Sequence, residues 1–232
     1  MIALSRFNLV VIVAGLLACR RDEGRPVASA HSDAPPTAAT ASPEPAVVIL
    51  GTSLTAGLGL DPDSAYPALL QRKIDSAGFR YRILNAGVSG ESSAGALRRI
   101  DWVLRDHPAM LLIETGANDG LRGQTPDSLR ANIQAIIDRT RRQSPETRIL
   151  LLGMEALPNL GATYTRRFHD VYPALARKNR LPFVPFLLAG VAGVDSLNQA
   201  DGIHPNARGA ELVADNVWPA LNQALLEKSH AK

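Results

Sequence analysis

The sequence predicts a three-layer α/β/α sandwich around a five-stranded parallel sheet. Two observations carry this. Short runs of consecutive apolar residues, such as Val47-Val48-Ile49-Leu50 and Met110 to Ile113, alternate along the chain with segments whose apolar residues recur at helical spacing. The runs also lack the apolar–polar alternation of a strand with one wet face, so each strand is covered by helices on both faces.

Each element follows in order. The first strand, Val47 to Leu50, stops at Gly51. Tyr66 to Ser76 carries Leu69, Leu70 and Ile74 at helical spacing, with Gly78 as a stop. Tyr81, Ile83 and Leu84-Asn85 mark a second strand. Leu97, Ile100, Val103 and Leu104 mark a second helix, ended near Pro108. Met110 to Ile113 is the third strand. Leu129, Ile133, Ile136, Ile137 and Thr140 form a 3.6-residue stripe on a third helix. Ile149 to Leu152 is the fourth strand, and Phe168, Val171, Tyr172 and Leu175 mark a fourth helix. Phe183 to Phe186 is a short fifth strand, whose Pro182 and Pro185 suit an end or an edge. Leu212, Val213, Val217, Leu221 and Leu225 place a last helix at the C-terminus.

This layered domain is expected over residues 46–232, and what precedes it reads differently. Residues 1–18 are expected to be a signal peptide: Arg6, then the apolar run Leu9 to Leu17, too short to span a bilayer. The run ends in Leu16-Leu17-Ala18-Cys19, holding the single cysteine of the chain. A small residue followed by cysteine at that point resembles a bacterial lipoprotein signal, which implies lipid attachment at Cys19. An ordinary secretory signal is the alternative. A lone cysteine forms no internal disulfide. Residues 19–45 are rich in Ala, Pro, Ser and Thr without a hydrophobic period, and are expected to be a disordered tether. Arg20, rather than aspartate, follows the lipidation position. By resemblance to lipoprotein sorting, this favours the outer membrane for an exported, envelope-anchored or secreted protein.

The net charge of +3 is mild, and no basic block with interleaved aromatics appears, so nucleic acid is not an expected partner. No glycine-rich phosphate loop follows a strand, and no clustered metal-ligand pattern occurs. Neither cofactor nor metal is expected, and the chain is expected to act as a monomer.

Chemistry in this architecture belongs in the loops at the carboxyl edge of the sheet. Four loops supply candidates. Gly51-Thr52-Ser53-Leu54 follows the first strand and Asn85 to Ser92 the second. Glu114 to Gly120 follows the third, and Asp201-Gly202-Ile203-His204-Pro205-Asn206 lies beyond the fifth. A serine hydroxyl needs a base, and a histidine base needs a partner that fixes its tautomer. Ser53, His204 and Asp201 fit these roles. An acyl oxyanion needs preorganised donors, which the N–H groups of Ser53 and Gly90 and the amide of Asn118 can supply. Each residue alone has a plainer role. Ser53 could cap a helix, Asp201 and Asn118-Asp119-Gly120 could be turns, and Gly90 could serve backbone freedom. It is their convergence on one edge that points to catalysis. His31, His107, His169 and His230 lie outside these loops. Glu114, Asp119 and Glu155 could form paired carboxylates for glycoside hydrolysis, but that leaves Ser53 and His204 without roles.

The same four blocks resemble the SGNH hydrolases, or GDSL esterases, from about Val47 to Leu225. Asn118 to Gly123 and Asp201 to Asn206 are especially similar to the bacterial acyl-CoA thioesterase I / lysophospholipase / arylesterase group. The resemblance implies a flavodoxin-like sheet, Ser53 as nucleophile, Asp201 and His204 as its partners, and Ser53, Gly90 and Asn118 as oxyanion donors. It also implies that Leu121 to Gln124 is a mobile loop beside an acyl channel, with Pro158 to Tyr164 as another wall. One departure stands out: the family usually has aspartate where this chain has Thr52. The function expected is hydrolysis of aryl, short- or medium-chain acyl and lysophospholipid esters, with thioesters as a further class, through an acyl-serine. A carbohydrate O-deacetylase and a non-catalytic acyl-binding lipoprotein are the alternatives.

Overall fold

The computed structural model describes residues 44–229. The expected signal peptide, Cys19 and nearly all of the expected tether lie outside the described residues.

Five parallel strands form one sheet in the order β2-β1-β3-β4-β5. They are β1 (Ala46–Gly51), β2 (Arg82–Gly87), β3 (Met110–Glu114), β4 (Arg148–Leu152) and β5 (Phe183–Val184). β1 lies between β2 and β3, with Val48 beside Leu84 and Leu111. All five residues of β3 are buried, as are Val47 to Leu50 of β1, which is why these strands read as unbroken apolar runs. β2 is an edge strand with exposed side chains, which is why it shows no unbroken apolar run.

Helices cover both faces. α2 (Tyr66–Ser76) packs against α8 (Ala207–Ser229). α3 (Ser93–Val103) packs against α5 (Pro126–Gln143), which also meets α7 (Val171–Asn179). The chain moves from β1 outward to β2, then returns past β1 to β3. Right-handed crossovers place α2 on one face and α3 and α5 on the other. Strand order therefore reverses between β1 and β3, which opens a crevice beyond their carboxyl ends.

Three local expectations change. The fifth strand ends at Val184, beyond which the pairing slips by one residue: the Leu187 N–H, not that of Phe186, reaches the Gly153 carbonyl at 2.9 Å. The expected fourth helix is two, α6 (Ala162–His169) and α7. Pro173 explains the break: in one continuous helix its ring would meet the carbonyl of His169, the last residue of α6. Finally, Ala117–Leu121 is a short helix, α4, spanning the Asn118-Asp119-Gly120 segment for which a turn was the plainer alternative; it starts from Gly116 at φ 111°. On α8, Val213, Val217, Leu221 and Leu225 are buried as expected, whereas Leu212 is exposed.

Candidate active site

Ser53 opens a four-residue helix, α1 (Ser53–Ala56), directly after β1. The cap of that helix is Thr52, not Ser53: the Thr52 side chain accepts from the Leu54 N–H. The capping alternative for Ser53 thus passes to its neighbour. As the first residue of a helix, Ser53 has an N–H without an intrahelical partner.

The turn is held from beneath by Glu114, the last residue of β3, which is fully buried. Its carboxylate accepts the Thr52 N–H at 2.7 Å, the Thr52 hydroxyl at 3.0 Å and the Thr55 hydroxyl at 2.8 Å. Thr55 in turn accepts from the buried Tyr66 phenol at 2.6 Å, because its own hydrogen goes to Glu114. Burial raises the Glu114 pKa, and the three donors oppose it. Burial and the neighbouring Glu114 push the Tyr66 phenol well above its usual value. Gly51 is required here, since a Cβ would overlap the Thr55 side chain and crowd the Glu114 carboxylate.

His204 reaches the turn from the loop before α8. Its Nε2 lies 2.8 Å from Ser53 Oγ, and its Nδ1 lies 2.6 Å from Asp201 Oδ2. The other oxygen of Asp201 accepts the backbone N–H groups of Ile203 at 2.9 Å and His204 at 3.0 Å. With Nδ1–H donating to the carboxylate, Nε2 is left to accept the serine proton. These bonds, first the backbone N–H and then the ring of His204, hold the Asp201 carboxyl at about 2. It is therefore ionised throughout the range in which an imidazole base works.

Two further loops close the crevice. Gly90 follows β2 with φ 78°, in open space above the site. Asn118, on α4, donates one amide hydrogen to the Glu91 carbonyl at 3.0 Å, which leaves its second N–H available. α4 is tied down by Asp119, buried and accepting the N–H of Ser93 at 2.8 Å and its hydroxyl at 2.5 Å.

Ser53, Gly90, Asn118 and His204 all line one cavity of about 660 Å³. Its walls are mostly apolar, with Leu54, Leu58, Leu121, Met154, Leu157, Pro158, Phe186, Leu188 and Ile203 beside a single acid, Glu155. Leu121 and Pro158, expected at an acyl channel, are both there. The two walls they belong to are joined, for the Tyr164 hydroxyl donates to the Gln124 carbonyl at 2.7 Å. A groove of similar size, about 670 Å³, lies between α2 and α8, but none of the four loops reaches it.

The structure brings together every residue that the sequence nominated for the site apart from Cys19, which is not described. The carboxylates of the glycosidase alternative are separated by role: Glu114 beneath the turn, Asp119 on Ser93, Glu155 on His169 Nδ1 at 2.5 Å. Sequence reasoning missed Glu114 as the support of the nucleophile turn. The available signal was an acid closing a wholly apolar strand, where an unpaired charge is costly.

A profile of the GDSL-like lipase/acylhydrolase family matches residues 49–212. Esterase TesA of Pseudomonas aeruginosa is 41% identical over 180 residues, 77% of this chain and 89% of that protein. A crystal structure of TesA aligns with a TM-score of 0.73, covering 77% of this chain and 98% of that one at 40% identity. The Escherichia coli protein named thioesterase 1/protease 1/lysophospholipase L1 is 34% identical over 175 residues, 75% of this chain and 81% of its own. Esterase EstA of Pseudoalteromonas, solved in a form inhibited by monoethylphosphonate, aligns with a TM-score of 0.73 at 31% identity, covering 78% and 99% of the two chains. The chain thus belongs to the GDSL-like lipase/acylhydrolase family, the SGNH hydrolases, and is an enzyme that hydrolyses ester bonds.

Proposed function

We propose that the protein is a serine esterase that cleaves carboxylic acyl esters, including aryl esters and lysophospholipids, and acyl thioesters, through an acyl-Ser53 intermediate. The observation that carries this is the line from Asp201 through His204 to Ser53 Oγ, at 2.6 and 2.8 Å, opening into an apolar cavity. His204 Nε2 takes the Ser53 proton as Oγ attacks the acyl carbon. The carbonyl π pair moves to its oxygen, where the N–H groups of Ser53, Gly90 and Asn118 stabilise it. When the tetrahedral centre collapses, His204 returns the proton to the leaving alcohol or thiol. A water then attacks the acyl-enzyme with His204 again as base, and the carboxylic acid leaves with Ser53 restored. Asp201 holds the imidazole tautomer and balances the imidazolium.

The apolar walls favour an acyl chain longer than acetyl over a sugar ring, which offers hydroxyls that those walls would leave unpaired. The phosphonate inhibition of the relative EstA is what a reactive serine would show, and supports the same chemistry here. We also place the enzyme outside the cytoplasm, lipid-anchored through Cys19 with the outer membrane favoured, on the character of residues 1–45 alone. Fluorophosphonate labelling followed by peptide mapping tests the core claim. One adduct on Ser53, absent from Ser53→Ala, is expected; folded protein with no adduct would leave the chain an acyl binder. A p-nitrophenyl ester series run beside acetylated sugars then separates esterase from deacetylase.

A further inference from the structure

Arg99, on α3, takes no part in the mechanism above, yet its guanidinium touches three segments of the site. Its Nε donates to both carboxylate oxygens of Glu91, at 2.9 and 2.9 Å, and its Nη2 lies 2.6 Å from Glu91 Oε2. The same Nη2 reaches the Ala86 carbonyl at 2.7 Å and the Gly51 carbonyl at 3.3 Å. Both side chains are mostly covered, with Arg99 19% and Glu91 10% exposed.

Each of those contacts sits next to a proposed oxyanion donor. Gly51 ends β1, two residues before Ser53. Ala86 belongs to the end of β2, from which the Gly90 loop departs. Glu91 follows Gly90 directly and its own carbonyl accepts from the Asn118 amide at 3.0 Å. Glu91 also has a place cut for it, since a Cβ on Gly95 would collide with its Cγ. A covered ion pair is weak support for stability, because the loss of hydration offsets most of its attraction. Its location therefore asks for another reason. An arginine fork, planar and able to bridge a carboxylate and two carbonyls at once, suits the task of fixing three chain segments relative to one another.

We propose that Arg99, acting through Glu91, is a positioning residue that sets the Gly90 N–H and the Asn118 amide in the geometry of the oxyanion hole. The proposal rests on the acyl-serine reading above. A displacement of donors by a fraction of an ångström weakens the transition state more than the bound substrate.

The test is kinetic, on the full chain. Arg99→Lys keeps the charge but loses the fork, and Glu91→Gln keeps the carbonyl and shape but loses the ion pair. Each is expected to lower kcat on a p-nitrophenyl ester by about 10- to 100-fold, with KM within about threefold. A purely structural tie would lower the melting temperature and leave kcat of the folded fraction unchanged. In the Asn118→Ala background, Arg99→Lys is expected to cost less than in the native background, because one of the donors it positions is gone. A kcat at the native level in either folded variant, or a double-variant loss equal to the product of the single losses, overturns the proposal. If Arg99→Lys does not fold, Glu91→Gln alone decides the matter on the same criteria. Failure of the acyl-serine reading shows itself separately, as native protein that takes no label at Ser53.

Discussion

Thr52 is where this chain leaves its family's usual pattern, and its surroundings give the reason it functions there. Its hydroxyl donates to a fully buried carboxylate that already accepts from the Thr52 N–H and from Thr55. An aspartate at this position would place a second carboxylate against Glu114 away from water, and two such groups cannot both ionise. One must hold a proton, so the folded pKa of the pair rises above the unfolded values. A carboxyl with a raised folded pKa stabilises the fold at low pH, and that contribution is lost as pH rises from the unfolded value of about 4.5 through the folded one. Thr52→Asp is therefore expected to lose melting temperature between pH 5 and pH 8.5 more steeply than the native chain. Thermal melts across that range check this; parallel curves for the two proteins would show that the second carboxylate finds a proton-free solution.

Among the elements, the segments after β2 and β3 carry Gly90 and Asn118, the donors that the proposed oxyanion hole draws on. Gly90 stands at φ 78° with its nearest non-neighbour, Arg122 Nη2, 3.8 Å from where a Cβ would lie. Space is not the constraint; backbone conformation is. An alanine there costs about 1 kcal/mol in the left-handed region, which the loop can relieve by rotating its N–H away. Gly90→Ala is expected to lower kcat by about tenfold or more while shifting the melting temperature by only a few degrees. Steady-state kinetics beside a thermal melt measures both, and an unchanged kcat would remove Gly90 from the oxyanion hole. α6 carries Tyr164 to the Gln124 carbonyl, joining the wall around Pro158 to the loop that follows α4.

At the scale of the whole molecule, an apolar-walled cavity of about 660 Å³ opens at Ser53, and on the proposed acyl-serine reading its volume bounds the acyl chain. Ala156 lines it between Met154 and Leu157 and packs near Gly120. Filling that point with a ring excludes two or three methylenes, each worth about 0.8 kcal/mol when buried. Ala156→Phe is expected to leave acetyl ester hydrolysis near the native rate and to lower kcat/KM for longer chains by about 10- to 50-fold. A p-nitrophenyl chain-length series reads this directly, and an equal loss at every length would place the acyl chain elsewhere.

Much of this was legible in the sequence, for definite reasons. Buried parallel strands must be apolar on both faces, so β1, β3 and β4 announced themselves as unbroken runs. Catalysis calls for particular residue types, so Ser53, Gly90, Asn118, Asp201 and His204 stood out as candidates in segments that a parallel sheet brings to one edge. Proline misled where its reach was ignored: Pro173 divided a helix that side-chain periodicity alone continued.

Local chain chemistry and hydrophobic period thus sufficed for the layers and for nominating residues that the fold gathers at one sheet edge, because both are written in neighbours along the chain. The support of the site was settled by contacts between residues far apart in sequence. Glu114 lies 62 positions from Thr52, and Arg99 lies 48 from Gly51. No spacing rule connects such pairs; only the register of β1 against β3 and the packing of α3 bring them together. Cavity depth has the same origin, since its walls come from loops after all the strands and close only when the sheet has formed.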